Sequence, residues 1–249
     1  MFRRSLVAAA LLAGSVPAFA TTYTLDPNHT QVQFIWNHYG FTNLVGQFGK
    51  IEGTLEFDET DPTKASVNAT IAIDSIDSNV KKLDGVLASG DYFDAAKFPT
   101  ATFKSTHVEK GATPDRLKVT GDLTIRGITK PLTLDVSVTK VGVHPLRKAP
   151  AAGFDATATL KRSDFGLTKY LPNVADEVKI HVVAEAIEAK AFASGPKPGK
   201  SGSLEAAKKR RGAIRAFFSS RCSRQPFLTP TSFIAASPAR LIDPTAALS

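Results

Sequence analysis

The stretch LKVTGDLTIRGITKPLTLDVSV, residues 117–138, decides the fold of this chain. Arg126 and Gly127 divide it into two strands, because glycine tolerates the positive φ that a two-residue hairpin turn requires. If Ile125 pairs with Ile128, apolar residues fall on one face of the hairpin and polar residues on the other. The apolar pairs are Leu117 with Val136, Val119 with Leu134 and Gly121 with Leu132, and the polar pairs are Lys118 with Asp135, Thr120 with Thr133 and Thr124 with Thr129. A hairpin with one apolar face is not stable alone, so we expect further strands to cover that face.

The same two-residue period extends from Thr22 to Ala186 and predicts about eight strands. The first long strand carries Val32, Phe34, Trp36 and His38 on one face. A change of parity between Phe48 and Ile51 predicts a bulge near Gly49 that bends the second strand. A sheet of about eight strands with one apolar face must curl on itself or fold into a sandwich. Since about eight strands can close into a ring, we expect an all-β fold, an antiparallel β-barrel.

The interior of such a barrel is open to two interpretations. Large inward residues such as Phe34 and Phe103 accompany small ones, which are Ala69, Gly121, Ala156 and Ala158. Small inward residues either leave a lumen for one small ligand or fit the taper of a filled barrel. The two-residue period does not distinguish between them.

Residues 78–98 interrupt the alternation and predict a short helix across one end of the sheet. The residues with helical spacing are Val80, Leu83 and Leu87. Ser78 or Asn79 is expected as the N-cap, and Gly90 as the residue that stops the helix.

Both ends of the chain differ from this middle part. In residues 1–20, Arg3 and Arg4 precede an apolar run, and Ala18-Phe19-Ala20 closes the segment. This order is typical of a secretory signal peptide, with cleavage expected after Ala20. The apolar run is too short to span a bilayer. We therefore expect a signal peptide over 1–20, a folded domain over 21–190 and a separate tail over 191–249.

The formal net charge of +8 belongs mainly to the tail. Residues 21–190 contain 19 Lys and Arg against 21 Asp and Glu, whereas residues 191–249 contain 10 against 2. A nearly neutral domain argues against nucleic-acid binding. The single cysteine, Cys222, lies in the tail, so the domain has no disulfide.

The tail has two interpretations. Residues 195–203, GPKPGKSGS, have the composition of a flexible linker. Residues 204–218 could form a basic amphipathic helix that touches an anionic membrane surface. However, Gly212 interrupts that helix and four prolines follow it, which favours a disordered tail.

Several ordered motifs resemble those of the YceI-like polyisoprenoid-binding proteins, over about residues 22–189. They are YTLDPNHTQVQF at 23–34, GQFGKIEGTLEFD at 46–58, SID at 75–77, SGDYFDAAKFPTATFKST at 89–106, VTGDLTIRGITKPLTL at 119–134, LKRSDFGL at 160–167 and DEVKIHVVAEA at 176–186. Two positions depart from the family pattern: Val86 stands where a histidine is common, and Thr30 where a serine is common. We expect neither position to touch the barrel.

The resemblance implies a lipocalin-like barrel in the bacterial periplasm, with a long isoprenoid lipid held in an apolar lumen. That lipid would be a polyprenyl phosphate or the tail of an isoprenoid quinone. No catalytic group and no cofactor are required, since each buried CH₂ of such a chain contributes about 0.8 kcal/mol. The resemblance also implies a homodimer.

The expected ligand-binding residues are inward aromatics together with residues at a mouth of the barrel. They are Phe34, Trp36, His38, Phe48, Phe57, Phe93, Phe98, Phe103, Ala156, Phe165 and Tyr170. His29, Arg162 and Asp164 are the candidates for contacting a lipid head group. His38 is expected to be a hydrogen-bonded core residue, and Arg162 and Asp164 are expected to form a structural ion pair.

Three rival functions remain open from the residues alone. A Ser105-His29-Asp26 triad can be written down, but the sequence contains no GxSxG, HExxH or CxxC motif and no phosphate-binding glycine loop. A haem or metal carrier would use ligands among His38, His107 and His181, which lack the usual ligand spacing. The third rival is a non-catalytic stress-response protein with a filled barrel.

Overall fold

The computed structural model of the chain describes residues 20–195. The predicted signal peptide, apart from Ala20, and the tail beyond residue 195 lie outside the described residues. The strands are β1 (Thr21–Leu25), β2 (Gln31–His38), β3 (Thr42–Phe48), β4 (Ile51–Phe57), β5 (Ser66–Ala72), β6 (Ile76–Asp77), β7 (Thr100–Lys110), β8 (Arg116–Ile125), β9 (Ile128–Val143), β10 (Pro150–Lys161) and β11 (Val174–Glu188). The helices are α1 (Lys81–Ala88) and α2 (Ala189–Ser194). Helix α2 follows β11 directly, so regular structure continues past the expected boundary at residue 190.

The strands form a closed antiparallel barrel, which confirms the predicted fold. The ring runs β1, β4, β5, β7, β8, β9, β10 and β11, and pairing of β1 with β11 closes it. Each neighbouring pair is antiparallel. Closure removes the exposed sheet edges that an open antiparallel sheet would present.

The three remaining strands are β2, β3 and β6. Along the chain they adjoin β1, β4 and β5 of the ring, and each continues its neighbour beyond a bend. Strand β11 pairs with β1 through Ala186–Glu188 and with β2 through Val174–Val183 of its own residues. Strands β3 and β6 continue this arrangement, pairing with β2 and β3 respectively. The break between Phe48 and Ile51 confirms the predicted bend near Gly49. Counted through these bends, the barrel has eight long strands.

The central hairpin has the predicted register. Ile125 pairs with Ile128, and the pairing continues to Leu117 opposite Val136. Arg126 and Gly127 both have positive φ, 53° and 73°, as a two-residue hairpin turn requires. The outer threonines meet across the strands, with Oγ1 atoms 2.9 Å apart for Thr120 and Thr133 and 2.8 Å for Thr124 and Thr129.

Helix α1 is present, but its first turn differs from the prediction. Val80, not Ser78 or Asn79, is the N-cap, and its side chain makes no capping bond. Asp84 instead accepts hydrogen bonds from the Ser78 N–H at 2.7 Å and the Ser78 hydroxyl at 2.6 Å. These bonds lower the pKa of the Asp84 carboxyl. Leu87 is buried, whereas Val80 is exposed and takes no part in the core.

The connecting segments divide between two ends of the barrel. Residues 39–41, 78–99, 126–127 and 162–173 connect strands at one end, called the α1 end from here on. Residues 58–65, 111–115 and 144–149 connect strands at the other, called the opposite end. Within residues 20–195, neither helix has the length and apolar character needed to cross a membrane.

Candidate functional site

A cavity of about 570 Å³ lies in the interior of the barrel. Strand residues that point inward form most of its wall, and their side chains are almost all apolar. The lining residues with a polar group are Thr30, Trp36, His38, Tyr39, Ser66, Tyr92, Ser105, Arg162 and Tyr170. The volume falls within the range of small-molecule sites, which are mostly apolar with a few polar groups. The interior is therefore an apolar lumen, and the filled-barrel interpretation is wrong.

The cavity reaches the surface at the α1 end. Its exposed lining residues are His38, Tyr39, Val86 and Tyr170, and all four belong to the α1 end. At the opposite end, the lining residues are buried or half-buried. Phe57 and Phe154 meet there edge to face, with ring centroids 5.6 Å apart. A ligand would therefore enter and leave through the α1 end.

Four aromatic rings cluster on one side of the lumen. The ring of Phe34 stacks on Trp36 at 5.4 Å and contacts Phe48 at 5.2 Å and Phe93 at 6.2 Å. Gly46 lies opposite Phe34 on β3, and a Cβ there would come within 2.4 Å of the Phe34 ring. The glycine therefore lets this ring lie against the wall, so that large aromatic residues and an open lumen coexist.

The small inward residues contribute unequally to the lumen. Ala69 and Ala156 line the cavity, whereas Gly121 and Ala158 do not. The ring of Phe103 covers Gly121, where a Cβ would lie 2.5 Å from a ring carbon. Gly121 thus makes room for a neighbouring side chain, and Ala156 is the small residue of β10 that leaves space for a ligand.

Most of the predicted ligand-binding residues come together in this cavity. The lining includes Phe34, Trp36, His38, Phe48, Phe57, Phe93, Phe103, Ala156 and Tyr170, as well as the head-group candidate Arg162. Phe98 and Phe165 lie outside it: the Phe98 ring packs near Gly127, and Phe165 is buried in the short 3-10 turn after β10. The head-group candidates His29 and Asp164 also lie outside the lining and are exposed.

The expectation that His38 is a core residue is wrong. His38 is the last residue of β2 and its side chain is exposed at the α1 end. Its ring packs edge to face against Tyr39, with centroids 4.6 Å apart. The alternation of β2 puts His38 on the inward face, but the strand ends there, so this face is no longer covered.

Arg162 is buried at the α1 end and is held by backbone carbonyl groups. Its Nε donates to Ala175 O at 2.8 Å, its Nη2 donates to Lys169 O and Val174 O at 3.0 Å each, and its Nη1 donates to Leu167 O. Desolvation lowers the pKa of the guanidinium. The predicted ion pair with Asp164 is wrong, because no carboxylate within residues 20–195 lies within salt-bridge distance of Arg162. Arg162 nevertheless holds the β10–β11 connection in place.

A polar network lies between β1 and β2. Asp26 is 2% exposed and accepts hydrogen bonds from the Asn28 N–H at 3.0 Å and from the His29 ring at 3.1 Å. Burial raises the pKa of the Asp26 carboxyl, but these bonds and the charges of His29 and Arg147 outweigh it and lower the pKa below 3.8. Ligand atoms of Asp26, His29 and Glu185 lie within 4.8 Å of one another. Arg147 approaches Asp26 to 3.9 Å and His144 approaches Glu185 to 3.1 Å, so each of the two carboxylates already has a basic side chain beside it.

The geometry does not support the rival site assignments. Asp26 and His29 are bonded to each other, but the Ser105 Oγ accepts a hydrogen bond from the Val67 N–H at 2.8 Å. His181 is bonded to Asp155 at 2.8 Å, and His107 to Glu109 at 3.1 Å. These histidines lie on separate strands with their own carboxylate partners, so they do not form a shared set of metal or haem ligands.

Thr30 and Val86 are two of the lining residues that sequence reasoning did not select. Val86 of α1 is exposed at the mouth of the cavity, and Thr30 is 1% exposed deeper inside it. The expectation that neither position touches the barrel is therefore wrong. The Thr30 hydroxyl has no hydrogen-bond partner among residues 20–195. Thr30 shares the two-residue period of the inward-facing Val32 and Phe34, and this parity could have predicted that it points into the lumen.

Comparisons with known proteins agree with this architecture. The YceI-like domain profile matches residues 23–186. The protein YceI of Salmonella arizonae is 38% identical over 184 residues, covering 73% of this chain and 95% of that protein. The crystal structure of BcnA from Burkholderia cenocepacia aligns with a TM-score of 0.58 at 29% identity, covering 65% of this chain and 98% of BcnA. A polyisoprenoid-binding domain from Saccharophagus degradans, implicated in plant cell wall breakdown, aligns with a TM-score of 0.53 at 13% identity, covering 69% of this chain and 99% of that domain.

These matches carry different weight. The last one shows the shared fold alone, because its sequence identity is low. The profile match begins in β1 and ends in β11, so it spans the whole closed barrel. The Salmonella arizonae relative is matched over nearly its full length. The chain therefore belongs to the YceI-like domain family.

Proposed function

We propose that this protein is a carrier that holds the hydrocarbon chain of an isoprenoid lipid in the barrel lumen. The observation that carries the proposal is an apolar cavity of about 570 Å³ whose exposed lining residues all lie at the α1 end. An isoprenoid chain is insoluble in water, and burying each CH₂ contributes about 0.8 kcal/mol. Membership of the YceI-like family and the fold shared with a polyisoprenoid-binding domain support the same ligand class.

The head group of the lipid lies at the α1 end in this proposal. Arg162 lines the cavity there, and its four bonds to carbonyl groups use four of the five guanidinium N–H donors. One donor on Nη1 therefore remains for a phosphate or quinone oxygen. The Tyr92 hydroxyl, whose pKa is raised by desolvation, belongs to the same lining.

A binding role also accounts for the polar groups better than catalysis does. The inward hydroxyl of Ser105 is bonded to a backbone N–H, and no hydroxyl or thiol of the described residues is bonded to the Asp26–His29 pair. The general base of a hydrolase must lie within hydrogen-bond reach of the group it activates. The periplasm is the proposed location, because residues 1–20 have the order of a signal peptide.

The test is to purify the protein from an exporting host, extract it with organic solvent and identify the extracted lipids by mass spectrometry. We expect about one isoprenoid lipid per barrel, and its mass distinguishes a polyprenyl phosphate from a quinone. The Ala156→Phe variant, which narrows the lumen, serves as the matched control and should yield much less lipid. A folded protein that yields no isoprenoid, and that takes none up from detergent, would contradict the proposal.

A further inference from the structure

The exposed large apolar side chains of the barrel concentrate at the α1 end. Six of the nine within residues 20–195 belong to this end or directly border it: Tyr39, Phe41, Val80, Val86, Ile128 and Tyr170. We call these six residues the apolar rim. Phe41 is the extreme case, since 89% of it is exposed. Contiguous exposed apolar surface marks a binding site for a protein or a membrane.

Half of the apolar rim lies at the opening of the lumen. Tyr39, Val86 and Tyr170 belong both to the rim and to the cavity lining. Apolar surface therefore continues from the lumen to the outside of the barrel. If another apolar surface covers the rim, a hydrocarbon chain can leave the lumen here without contacting water.

Polar contacts hold the segments that carry the rim. The Tyr39 N–H donates to Asn173 O at 3.1 Å, which joins the β2–β3 turn to the β10–β11 connection. Arg126 donates to Gly90 O at 3.2 Å and to Gly166 O at 3.5 Å, which joins the β8–β9 turn to two other segments. Lys169 is paired with Asp91 across the same end. These contacts join the connecting segments of the α1 end to one another, so the apolar rim is already ordered before it meets a binding partner.

The charge of the α1 end has the opposite sign to that of the domain. Its connecting segments, residues 39–41, 78–99, 126–127 and 162–173, contain six Lys and Arg against four Asp. Residues 21–190 as a whole have more acidic than basic residues, 21 against 19. Basic residues next to a membrane are attracted by anionic head groups, and tyrosine is enriched at the membrane–water interface. The combination of aromatic, aliphatic and basic side chains fits an anionic bilayer surface.

We propose that the α1 end docks on an anionic lipid bilayer, with the apolar rim inserted into the head-group layer and the open lumen facing the membrane. Docking in this orientation lets an isoprenoid chain pass between bilayer and barrel without crossing water. Its purpose rests on the proposed carrier function, whereas its structural basis is independent of which lipid is carried. The binding is interfacial, of the kind in which buried apolar area and attraction to anionic lipid add together.

The test measures partitioning of the full chain, purified from an exporting host, onto phosphatidylcholine vesicles with and without phosphatidylglycerol. Phe41→Ser removes the most exposed rim residue, and Leu146→Ser is its matched control, because Leu146 is 88% exposed at the opposite end. We expect binding to anionic vesicles to weaken at least about tenfold in Phe41→Ser, since burying a phenylalanine side chain is worth more than that factor. We expect less than a twofold change in Leu146→Ser, and weaker binding of all proteins at high salt.

A second measurement locates the inserted residue directly. In Phe41→Trp and Leu146→Trp variants, fluorescence quenching by brominated lipids reports which end enters the bilayer, after subtraction of the signal from Trp36. We expect strong quenching for Phe41→Trp alone.

Several outcomes would overturn the proposal. One is an absence of vesicle binding, and another is an equal loss of binding in the two serine variants. A third is vesicle binding that neither variant changes, which would place the contact in the basic tail. A chain that dimerises in a Phe41-dependent manner and ignores vesicles would show that a second copy covers the rim. Lipid extraction from the same preparations separates this result from failure of the carrier function, because a barrel can hold lipid without docking on a membrane.

Discussion

The two ends of the barrel are built from the same strands, yet only the α1 end opens into the lumen. Exposed residues line the cavity at the α1 end, whereas Phe57 and Phe154 meet across the opposite end. The strands themselves do not differ in period between the two ends. The difference arises from the connecting segments, because α1 and the β10–β11 connection place apolar side chains around the opening and leave its centre free.

The buried or half-buried arginines of the two ends also have different partners. Arg147, at the opposite end, lies 3.9 Å from Asp26 and 5.5 Å from the centre of the Phe192 ring. Arg162, at the α1 end, is bonded to carbonyl groups and, within residues 20–195, to no carboxylate. The guanidinium at the open end is therefore held by carbonyl groups, with the Asp176 carboxylate acting on it through space. The comparison teaches that the arginine of the closed end lies beside a buried carboxylate, whereas the arginine of the open end fastens a connecting segment through its carbonyl groups.

The largest effect on stability is expected from Arg162→Met, which removes the hydrogen bonds that hold the β10–β11 connection at the open end. Removing the guanidinium leaves four backbone carbonyl groups without their partner, and we expect the free energy of unfolding to fall by about 3–5 kcal/mol. Chemical denaturation measures the change. Arg162→Lys is the matched control, because it keeps the charge but cannot reach all four carbonyls, so it should recover only part of the loss. Full stability in the methionine variant would contradict the bracing role.

Ala156→Phe tests whether the lumen that opens at the α1 end is where the lipid lies, because the added ring obstructs that lumen. We expect it to abolish most lipid uptake and to lower stability by about 1–3 kcal/mol, the usual range for overpacking. Thr157→Phe places the same ring on the outer face of β10, where the side chain is exposed, and should leave uptake unchanged. Uptake measured with a fluorescent polyprenyl probe decides between them. Equal uptake by both variants would show that the lipid does not occupy the lumen.

Asp26→Asn tests the polar network between β1 and β2 through its pH dependence. The pKa of Asp26 is lower in the folded chain than its ordinary 3.8, so its ionised form stabilises the fold above that pH. This stabilisation is lost as the pH falls through the lowered pKa. We expect the wild-type protein to be more stable than the variant by about 1–2 kcal/mol at neutral pH, and the gap to close below pH ~4. Urea unfolding at several pH values measures it, and a gap that does not narrow at all between pH ~5 and pH ~2 would refute the assignment.

The smallest effect on stability is expected from His38→Ala at the mouth. Because the His38 side chain is exposed and its ring has no hydrogen-bond partner among residues 20–195, its removal should change the unfolding free energy by less than about 0.5 kcal/mol. Thermal melting compared with wild type measures the change. A loss of several kcal/mol would restore the original expectation of a core histidine.

Sequence reasoning was most successful where the period of two was regular. The hairpin around Arg126 and Gly127 has its predicted register, and the bend near Gly49 is present. Its errors fall at strand ends and in irregular segments. Phe98, Phe165 and His38 lie there, where parity no longer specifies which way a side chain points.

The sequence by itself determined the all-β class, the pairing of the central hairpin and the apolar character of the barrel interior. It could do so because alternation and turn chemistry are local properties, set by neighbouring residues. Only the tertiary structure decided which end opens, that Phe34 lies over Gly46 to leave the lumen clear, and that Arg162 binds carbonyl groups in preference to Asp164. These features depend on closure of the barrel through β1 and β11, which brings together residues far apart in the chain.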